Sequence, residues 1–167
     1  MEIINRIMYK TATWILLLLF FVGCQQQIKA PTPEHCLKGT VTFVKQGESY
    51  EANFSSPVLG SYSFVMTQPS SVAGMTVQVE NGKVSYAYRE ITYQVDQEKD
   101  HSLFQEIAQI LEQSTRGENI VWQESAVEWI GKGENDKGSF TVIYHKKTNR
   151  PVSLETQSGL TAQFHIE

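Results

Sequence analysis

The chain has 167 residues, with 14 lysines and arginines against 18 aspartates and glutamates, a formal net charge of −4. This length favours one domain, and the acidic balance argues against a nucleic-acid partner because phosphates repel such a surface. The sequence contains no nucleophile elbow, phosphate-binding glycine loop or paired thiols, and its four histidines lie far apart. We therefore expect no enzymatic activity, no cofactor and no metal site.

The first 23 residues have the organisation of a secretory signal. Arg6 and Lys10 form a positive flank, and an uncharged stretch follows at positions 11–22. Its length of about 12 residues is short for a permanent bilayer-spanning helix, which needs roughly 20. The stretch ends in Phe21-Val22-Gly23-Cys24, which resembles the processing site of bacterial lipoproteins.

This resemblance implies that Cys24 is lipidated and becomes the first residue of the mature protein. Maturation then leaves 144 residues with a net charge of −5, because residues 1–23 contain two basic side chains and one acidic side chain. The alternative is an uncleaved N-terminal anchor in which Cys24 has no role. Both interpretations predict a protein on the extracytoplasmic side of a cell membrane, where two acyl chains at about 0.8 kcal/mol per buried methylene hold it stably. Cys36 then remains alone, so we expect no disulfide within the domain.

Residues 24–37 are predicted to join the lipidated cysteine to the domain. The segment 25–35 is polar, lacks periodicity and contains Pro31 and Pro33, which favour extended backbone. A free segment of this length holds the domain up to about 35 to 40 Å from the lipid. The alternative is an entry segment that lies on the domain.

Period-two alternation of apolar residues begins near Gly39 and predicts a series of strands within a domain spanning residues 38–167. Asn81-Gly82 is the strongest hairpin signal, since both central residues of a type I′ turn need positive φ. The apolar positions change parity within residues 84–95, which predicts one long strand with a bulge near Arg89-Glu90. The glycine-rich stretch 131–138 is predicted to be a loop.

One segment, from Ser102 to Arg116, has the three- and four-residue spacing of an amphipathic helix. Ser102 and Gln105 form a capping box, and Gly117 suits a left-handed C-terminal cap. About ten strands give a sheet of roughly 48 by 20 Å, whereas this helix shields only about a fifth of it. We therefore predict a mainly β domain: a strongly curved antiparallel sheet or half-open barrel with the helix on its concave side.

Three stretches in this order resemble the LolA-like carriers and binders of lipid, and the mycobacterial lipoproteins that hold lipids. They are Tyr62-Ser-Phe-Val-Met-Thr-Gln-Pro69, Val77-Gln-Val-Glu-Asn-Gly-Lys-Val-Ser-Tyr86, and Thr148-Asn-Arg-Pro151-Val-Ser-Leu-Glu155 followed by Phe164. The resemblance covers about residues 38–167 and implies a half-open sheet with helical material across its concave side. The soluble carrier has more helices and no lipid anchor, so the comparison favours a fixed, membrane-tethered role for this chain.

The candidate ligand-binding residues are the aromatic, sulfur-bearing and aliphatic side chains predicted to face the concave side. They are Phe43, Phe54, Phe64, Met66, Met75, Tyr86, Phe104, Ile107, Leu111, Trp122 and Phe140. The same residues would equally fill a closed core without leaving room for a ligand.

The sequence thus predicts a membrane-anchored envelope lipoprotein that binds or carries a lipid or another apolar ligand in a concave cavity. The alternative is an interaction lipoprotein with a filled core that docks a protein partner, whose identity the sequence does not indicate. In both cases the acyl chains on Cys24 attach the protein to the membrane, and nucleic acid is not a partner.

Overall fold

The computed structural model describes residues 31–34, 36–95 and 102–167. Cys24 and the predicted signal lie outside them. The described residues form eleven strands and one helix. In chain order the elements are β1 (Leu37–Lys45), β2 (Glu48–Val58), β3 (Ser61–Gln68), β4 (Thr76–Glu80), β5 (Lys83–Tyr88), β6 (Ile91–Val95), α1 (Leu103–Arg116), β7 (Ile120–Glu124), β8 (Glu128–Asn135), β9 (Gly138–His145), β10 (Pro151–Thr156) and β11 (Leu160–Ile166).

All eleven strands belong to one antiparallel sheet, in the order β6-β5-β4-β3-β2-β1-β11-β10-β9-β8-β7. The chain termini of the domain meet at the centre, where β1 pairs with both β2 and β11. β6 and β7 are the two edges and do not pair with each other, so the sheet is open. This confirms the predicted fold class, a curved antiparallel sheet with one helix.

The two-residue turns follow the local sequence. Asn81 and Gly82 both have positive φ, at 50° and 79°, which confirms the predicted hairpin between β4 and β5. Gln46 and Gly47 make an equivalent turn between β1 and β2. Such turns match the twist of the strands that they join.

The predicted bulge near Arg89-Glu90 is wrong, because the chain reverses there. Tyr88 pairs with Ile91 and Tyr86 with Tyr93, so residues 84–95 form two antiparallel strands, with Arg89 at a φ of 55°. A two-residue hairpin places even positions opposite odd ones. It therefore produces the same change of parity as a bulge, and alternation alone does not distinguish the two structures.

The predicted loop at 131–138 is also wrong, since β8 continues to Asn135. Gly131 pairs with Trp122, and a Cβ atom on Gly131 would lie 2.7 Å from the indole Cζ3. Gly133 pairs with Phe140, and a Cβ there would lie 2.5 Å from the ring Cζ. These glycines are strand residues that leave space for the aromatic rings of the neighbouring strands.

The helix α1 lies across the inner face of the sheet and has the predicted Ser102 and Gly117 caps, whereas the Gln105 side chain of the predicted capping box donates to the Gly82 carbonyl at 3.4 Å. The Ser102 hydroxyl accepts a hydrogen bond from the Gln105 N–H at 3.2 Å, and Gly117 takes the left-handed conformation at a φ of 70°. Ile107, Ile110 and other apolar residues of its inner side are buried against the sheet. The core of the domain is therefore the layer between α1 and the sheet.

Residues 31–34 lie on the domain, as the alternative interpretation of segment 25–35 expects. Pro31 and Pro33 are buried, and Arg150 Nε donates to Glu34 Oε2 at 2.6 Å. The hydrogen bond to Arg150 holds the pKa of the Glu34 carboxyl below its ordinary value. The part of the predicted tether nearest Cys24 falls outside the described residues.

Candidate functional site

The structure brings the eleven candidate ligand-binding residues together on the inner face. Nine of them are at most 7% exposed: Phe43, Phe54, Phe64, Met66, Phe104, Ile107, Leu111, Trp122 and Phe140. Met75 and Tyr86 are partly buried and pack against that cluster. All eleven belong to or adjoin one apolar core.

Phe104 of α1 packs against three aromatic rings of the sheet. Its ring centroid lies 5.5 Å from that of Phe43, 5.2 Å from that of Phe64 and 6.4 Å from that of Tyr86. Such distances are those of close-packed aromatic rings. The interior beneath α1 is thus occupied by side chains, and an apolar ligand would have to displace the helix to enter it.

A polar network closes one side of this layer. Lys45 Nζ lies 3.4 Å from Glu106 Oε2, and the Ser158 hydroxyl donates to Glu106 Oε1 at 2.8 Å. Ser158 also accepts a hydrogen bond from Lys45 at 2.7 Å and contacts the Thr156 hydroxyl at 2.7 Å. Glu106 is 3% exposed, and each of its two carboxylate oxygens has a partner, Lys45 at Oε2 and Ser158 at Oε1.

A buried hydroxyl pair joins the C-terminal half of α1 to β9. Ser114 Oγ and the Tyr144 hydroxyl lie 2.6 Å apart, and both residues are buried. Burial raises the pKa of Tyr144 to about 12, although its hydrogen bond with Ser114 acts in the opposite direction. Burial likewise raises the pKa of Tyr62. Both phenols are therefore neutral hydrogen-bonding groups at ordinary pH.

The inner face continues beyond the helix onto β5 and β6. Val84 is buried in the core, so Tyr86 and Tyr88 point to the same side by alternation. Their antiparallel partners Tyr93 and Ile91 share that face, because directly opposed residues lie on one side of a sheet. We call Tyr86, Tyr88, Ile91 and Tyr93 the open flank.

The open flank is apolar and accessible. Tyr88, Ile91 and Tyr93 are 37%, 73% and 65% exposed. The inner-face positions of β5 and β6 carry only valine, tyrosine and isoleucine, whereas charged Arg89 lies in the turn with its guanidinium carbon 5.3 Å from the Tyr88 ring centroid. From the helix, Phe104 packs against Tyr86 of this surface. An apolar ligand can therefore contact the open flank without any movement of the core.

A depression of about 540 Å³ adjoins the open flank where β5 begins and β6 ends. Its lining includes Val84 and Val95 of the inner face, and also Glu80, Lys83 and Gln94, which alternate with the inward residues and so belong to the outer face. A larger depression of about 760 Å³ lies over β8 to β10 and includes just one of the eleven candidate residues, Phe140. The polar side chains of the nearer depression therefore do not face the open flank.

The sequence prediction included Tyr86 but missed Tyr88, Ile91 and Tyr93. The alternation of these residues is visible in the sequence. However, the prediction of a single bulged strand over residues 84–95 does not place them side by side on two paired strands. Prediction of a hairpin turn at Arg89-Glu90, in place of a bulge, would have identified the open flank.

The described part of the chain offers neither a membrane-spanning helix nor a cluster of metal ligands. No helix there is long and apolar enough to cross a membrane. Nor do three or more His, Cys, Asp or Glu side chains in residues 31–34, 36–95 and 102–167 come together as metal ligands.

No protein-family model and no curated protein sequence matches the chain. Among solved structures, it resembles an uncharacterized conserved protein from Thermus thermophilus, with 12% identity, a TM-score of 0.48 and coverage of 79% of this chain and 77% of that one. It also resembles a LolA superfamily protein from Nitrosomonas europaea, with 8% identity, a TM-score of 0.40 and coverage of 84% and 87%. One structural neighbour thus bears the family name that the sequence motifs indicated. Similarities at this level carry no argument about ligand or activity.

Proposed function

We propose that this protein is a membrane-anchored, extracytoplasmic lipoprotein that binds an apolar ligand of the acyl-chain type on the open flank. The predicted lipidation of Cys24 supports the anchoring. The observation that carries the ligand assignment is the exposure of Ile91 and Tyr93 on the inner face of the sheet, beside the core and uncovered by α1.

The shape of the open flank suits an extended chain. β6 has five residues and is about 17 Å long. Aromatic and aliphatic side chains line its inner face, and Arg89, in the turn before β6, lies over the Tyr88 ring and supplies a cation at one end for a head group. The open flank therefore combines an apolar track with a polar terminus.

The expected affinity is modest. Full burial of Ile91 and Tyr93 contributes about 1.5 to 3 kcal/mol each, from which the loss of ligand freedom is subtracted. A total of 4.1 kcal/mol corresponds to a dissociation constant of about 1 mM and 8.2 kcal/mol to about 1 μM. The two residues together give at most about 6 kcal/mol before that subtraction, so we expect binding at or weaker than the millimolar limit, which a covalent trapping assay detects better than isolation of a complex.

The test uses the full-length chain in phosphatidylcholine vesicles that contain palmitate with a photoactivatable diazirine. After illumination, labelled peptides are mapped by mass spectrometry. We expect label on residues 83–95, and at least a fivefold decrease in Ile91→Asp and Tyr93→Asp.

Val121→Asp is the matched control, because Val121 is 70% exposed on the opposite edge strand, β7. It should leave the labelling of residues 83–95 unchanged. Labelling spread evenly over the domain, or equally reduced by Val121→Asp, would exclude an acyl site on the open flank.

A second candidate function is docking of a protein partner, which the position of β6 at the sheet edge favours. In a two-residue hairpin Tyr88 and Ile91 form a hydrogen-bonded pair, so the backbone groups of Thr92 point away from β5. An extended peptide could pair there as an added strand. Thr92→Pro removes the edge N–H but keeps the apolar side chains. It should abolish peptide pairing and preserve acyl labelling.

A further inference from the structure

We infer that residues 31–34 fasten the N-terminal segment to one end of the sheet, and that this end of the domain faces the lipid bilayer. This inference rests on the membrane anchoring proposed above. It adds the orientation of the domain, and with it the surface that meets the membrane.

The fastening consists of apolar and polar contacts. Pro33 lines a narrow cleft together with Leu37, Tyr62, Leu111 and Tyr144, so it packs where α1 meets the sheet. Pro31 is buried as well. Pro33 therefore adds apolar burial to the layer between the helix and the sheet.

Glu34 supplies the polar contacts. Its carboxylate accepts a hydrogen bond from Arg150 Nε at 2.6 Å, and its backbone N–H donates to the Asn149 carbonyl at 3.4 Å. Both partners belong to the connection between β9 and β10. The segment therefore joins α1, the start of β1 and this connection.

We call the end of the sheet where these contacts lie the anchor end. The antiparallel order places four connections there, at residues 59–60, 81–82, 125–127 and 146–150. The opposite end carries the turns at 46–47, 89–90, 136–137 and 157–159. The contacts of the described residues Pro33 and Glu34, which continue toward Cys24, lie at the anchor end.

The fastening shortens the distance to the membrane. Seven residue steps separate Cys24 from Pro31, and fully extended they span about 25 Å. An unattached segment up to residue 35 would span about 35 to 40 Å. The shorter connection therefore favours a position of the anchor end nearer the bilayer than the opposite end, which lies about 20 Å away along the strands.

The anchor end also exposes apolar side chains. Val58, Leu59 and Val127 are 59%, 38% and 61% exposed. The charges at this end are mixed: Lys38, Lys83, Lys146, Lys147 and Arg150 with Glu34, Glu80, Glu124, Glu128 and Glu167. Lys146 pairs with Glu124 and Arg150 with Glu34. Apolar contact and a short connection, rather than attraction to anionic lipid, therefore favour this orientation.

The test places an environment-sensitive fluorophore at either end of full-length protein in phosphatidylcholine vesicles. Cys36→Ser removes the exposed thiol of the domain, and Val127→Cys or Asp136→Cys then introduces a label at the anchor end or the opposite end. Label taken up by Cys36→Ser alone reports any unmodified Cys24 and is subtracted. The readout is quenching by lipids that carry a spin label on the head group.

We expect quenching at position 127 to exceed that at position 136 by at least twofold. The substitutions Arg150→Ala and Pro33→Asp together release the segment, and the two positions should then become similar. Equal quenching at both positions without these substitutions would overturn the orientation.

Flotation of the vesicles separates this inference from the proposed function. Protein that floats with vesicles but shows equal quenching at both ends is anchored without a fixed orientation. Protein that fails to float contradicts the proposed anchoring itself.

Discussion

The hairpins at the two flanks of the sheet, β5–β6 and β7–β8, each carry an aromatic side chain on the inner face of the edge strand, but the two side chains differ in burial. Trp122 on edge strand β7 is 7% exposed, whereas Tyr93 on edge strand β6 is 65% exposed. The C-terminal half of α1 reaches the first flank, where Gln113 Nε2 donates to the Glu134 carbonyl at 3.1 Å. Near its N-terminal end, Phe104 packs on Tyr86 of the other flank, and Gln105 Nε2 donates to the Gly82 carbonyl just before β5 at 3.4 Å. The position of α1 across the sheet, rather than the apolar character of the strands, therefore decides which aromatic side chains are buried in the core.

The largest expected effect concerns these two aromatic residues. Trp122→Ala should lower the free energy of unfolding by about 3 to 5 kcal/mol, because it leaves a cavity beside Tyr144. Tyr93→Ala should change it by no more than about 0.5 kcal/mol. Urea denaturation of both variants measures the difference. Similar losses would mean that the β6 flank is also covered in solution.

Trp122→Phe refines this comparison. The indole Nε1 is buried without a hydrogen-bond partner among the described residues, so its removal leaves no broken bond. Most of the stability lost in Trp122→Ala should therefore return in Trp122→Phe. If the two variants are equally unstable, the indole N–H has a partner that the packing argument omits.

A smaller effect is expected at the glycine beneath the indole. Gly131→Ala should cost about 1 to 3 kcal/mol, because the added Cβ would lie 2.7 Å from Trp122 Cζ3. In the Trp122→Ala background this cost should disappear, since the ring that causes the clash is absent. A double-mutant cycle in urea measures the coupling. Additive losses would show that Gly131 is required for its backbone alone.

The smallest predicted effect is a dependence on high pH. Folding raises the pKa of Tyr144 from 10.0 to about 12, so its stabilising contribution is complete below pH 10 and is lost as the pH rises toward 12. At pH 11 the loss is about 1 kcal/mol relative to pH 8, at 1.36 kcal/mol per pKa unit. Tyr144→Phe should reduce the decline between pH 8 and pH 11. An unchanged decline would assign it to other groups, of which Tyr62 is the first.

The features that the sequence predicted depend on neighbouring residues. The Ser102 and Gly117 caps and the Asn81-Gly82 turn are set by contacts within five residues, and the structure has all three. Alternation placed the inner-face residues correctly because each strand has one buried side.

The features that the sequence did not predict depend on distant partners. Gly131 is read as a loop residue until the ring of Trp122 is placed over it. The contact between Glu34 and Arg150 joins residues 116 positions apart. The exposure of Ile91 depends on where α1 ends across the sheet, which no local pattern specifies.

The pair of Lys45 and Glu106 also gives the helix a direction. Apolar packing alone allows a helix to lie across a sheet either way round, because side chains such as Ile107 and Leu111 fit an apolar surface in both senses. The buried carboxylate removes this symmetry, since a reversed helix would bury Glu106 away from Lys45 and Ser158, at a cost of several kcal/mol for an unpaired charge. The salt bridge between Lys45 and Glu106, near the first turn of α1, thus favours one of the two directions in which the helix could lie across the sheet.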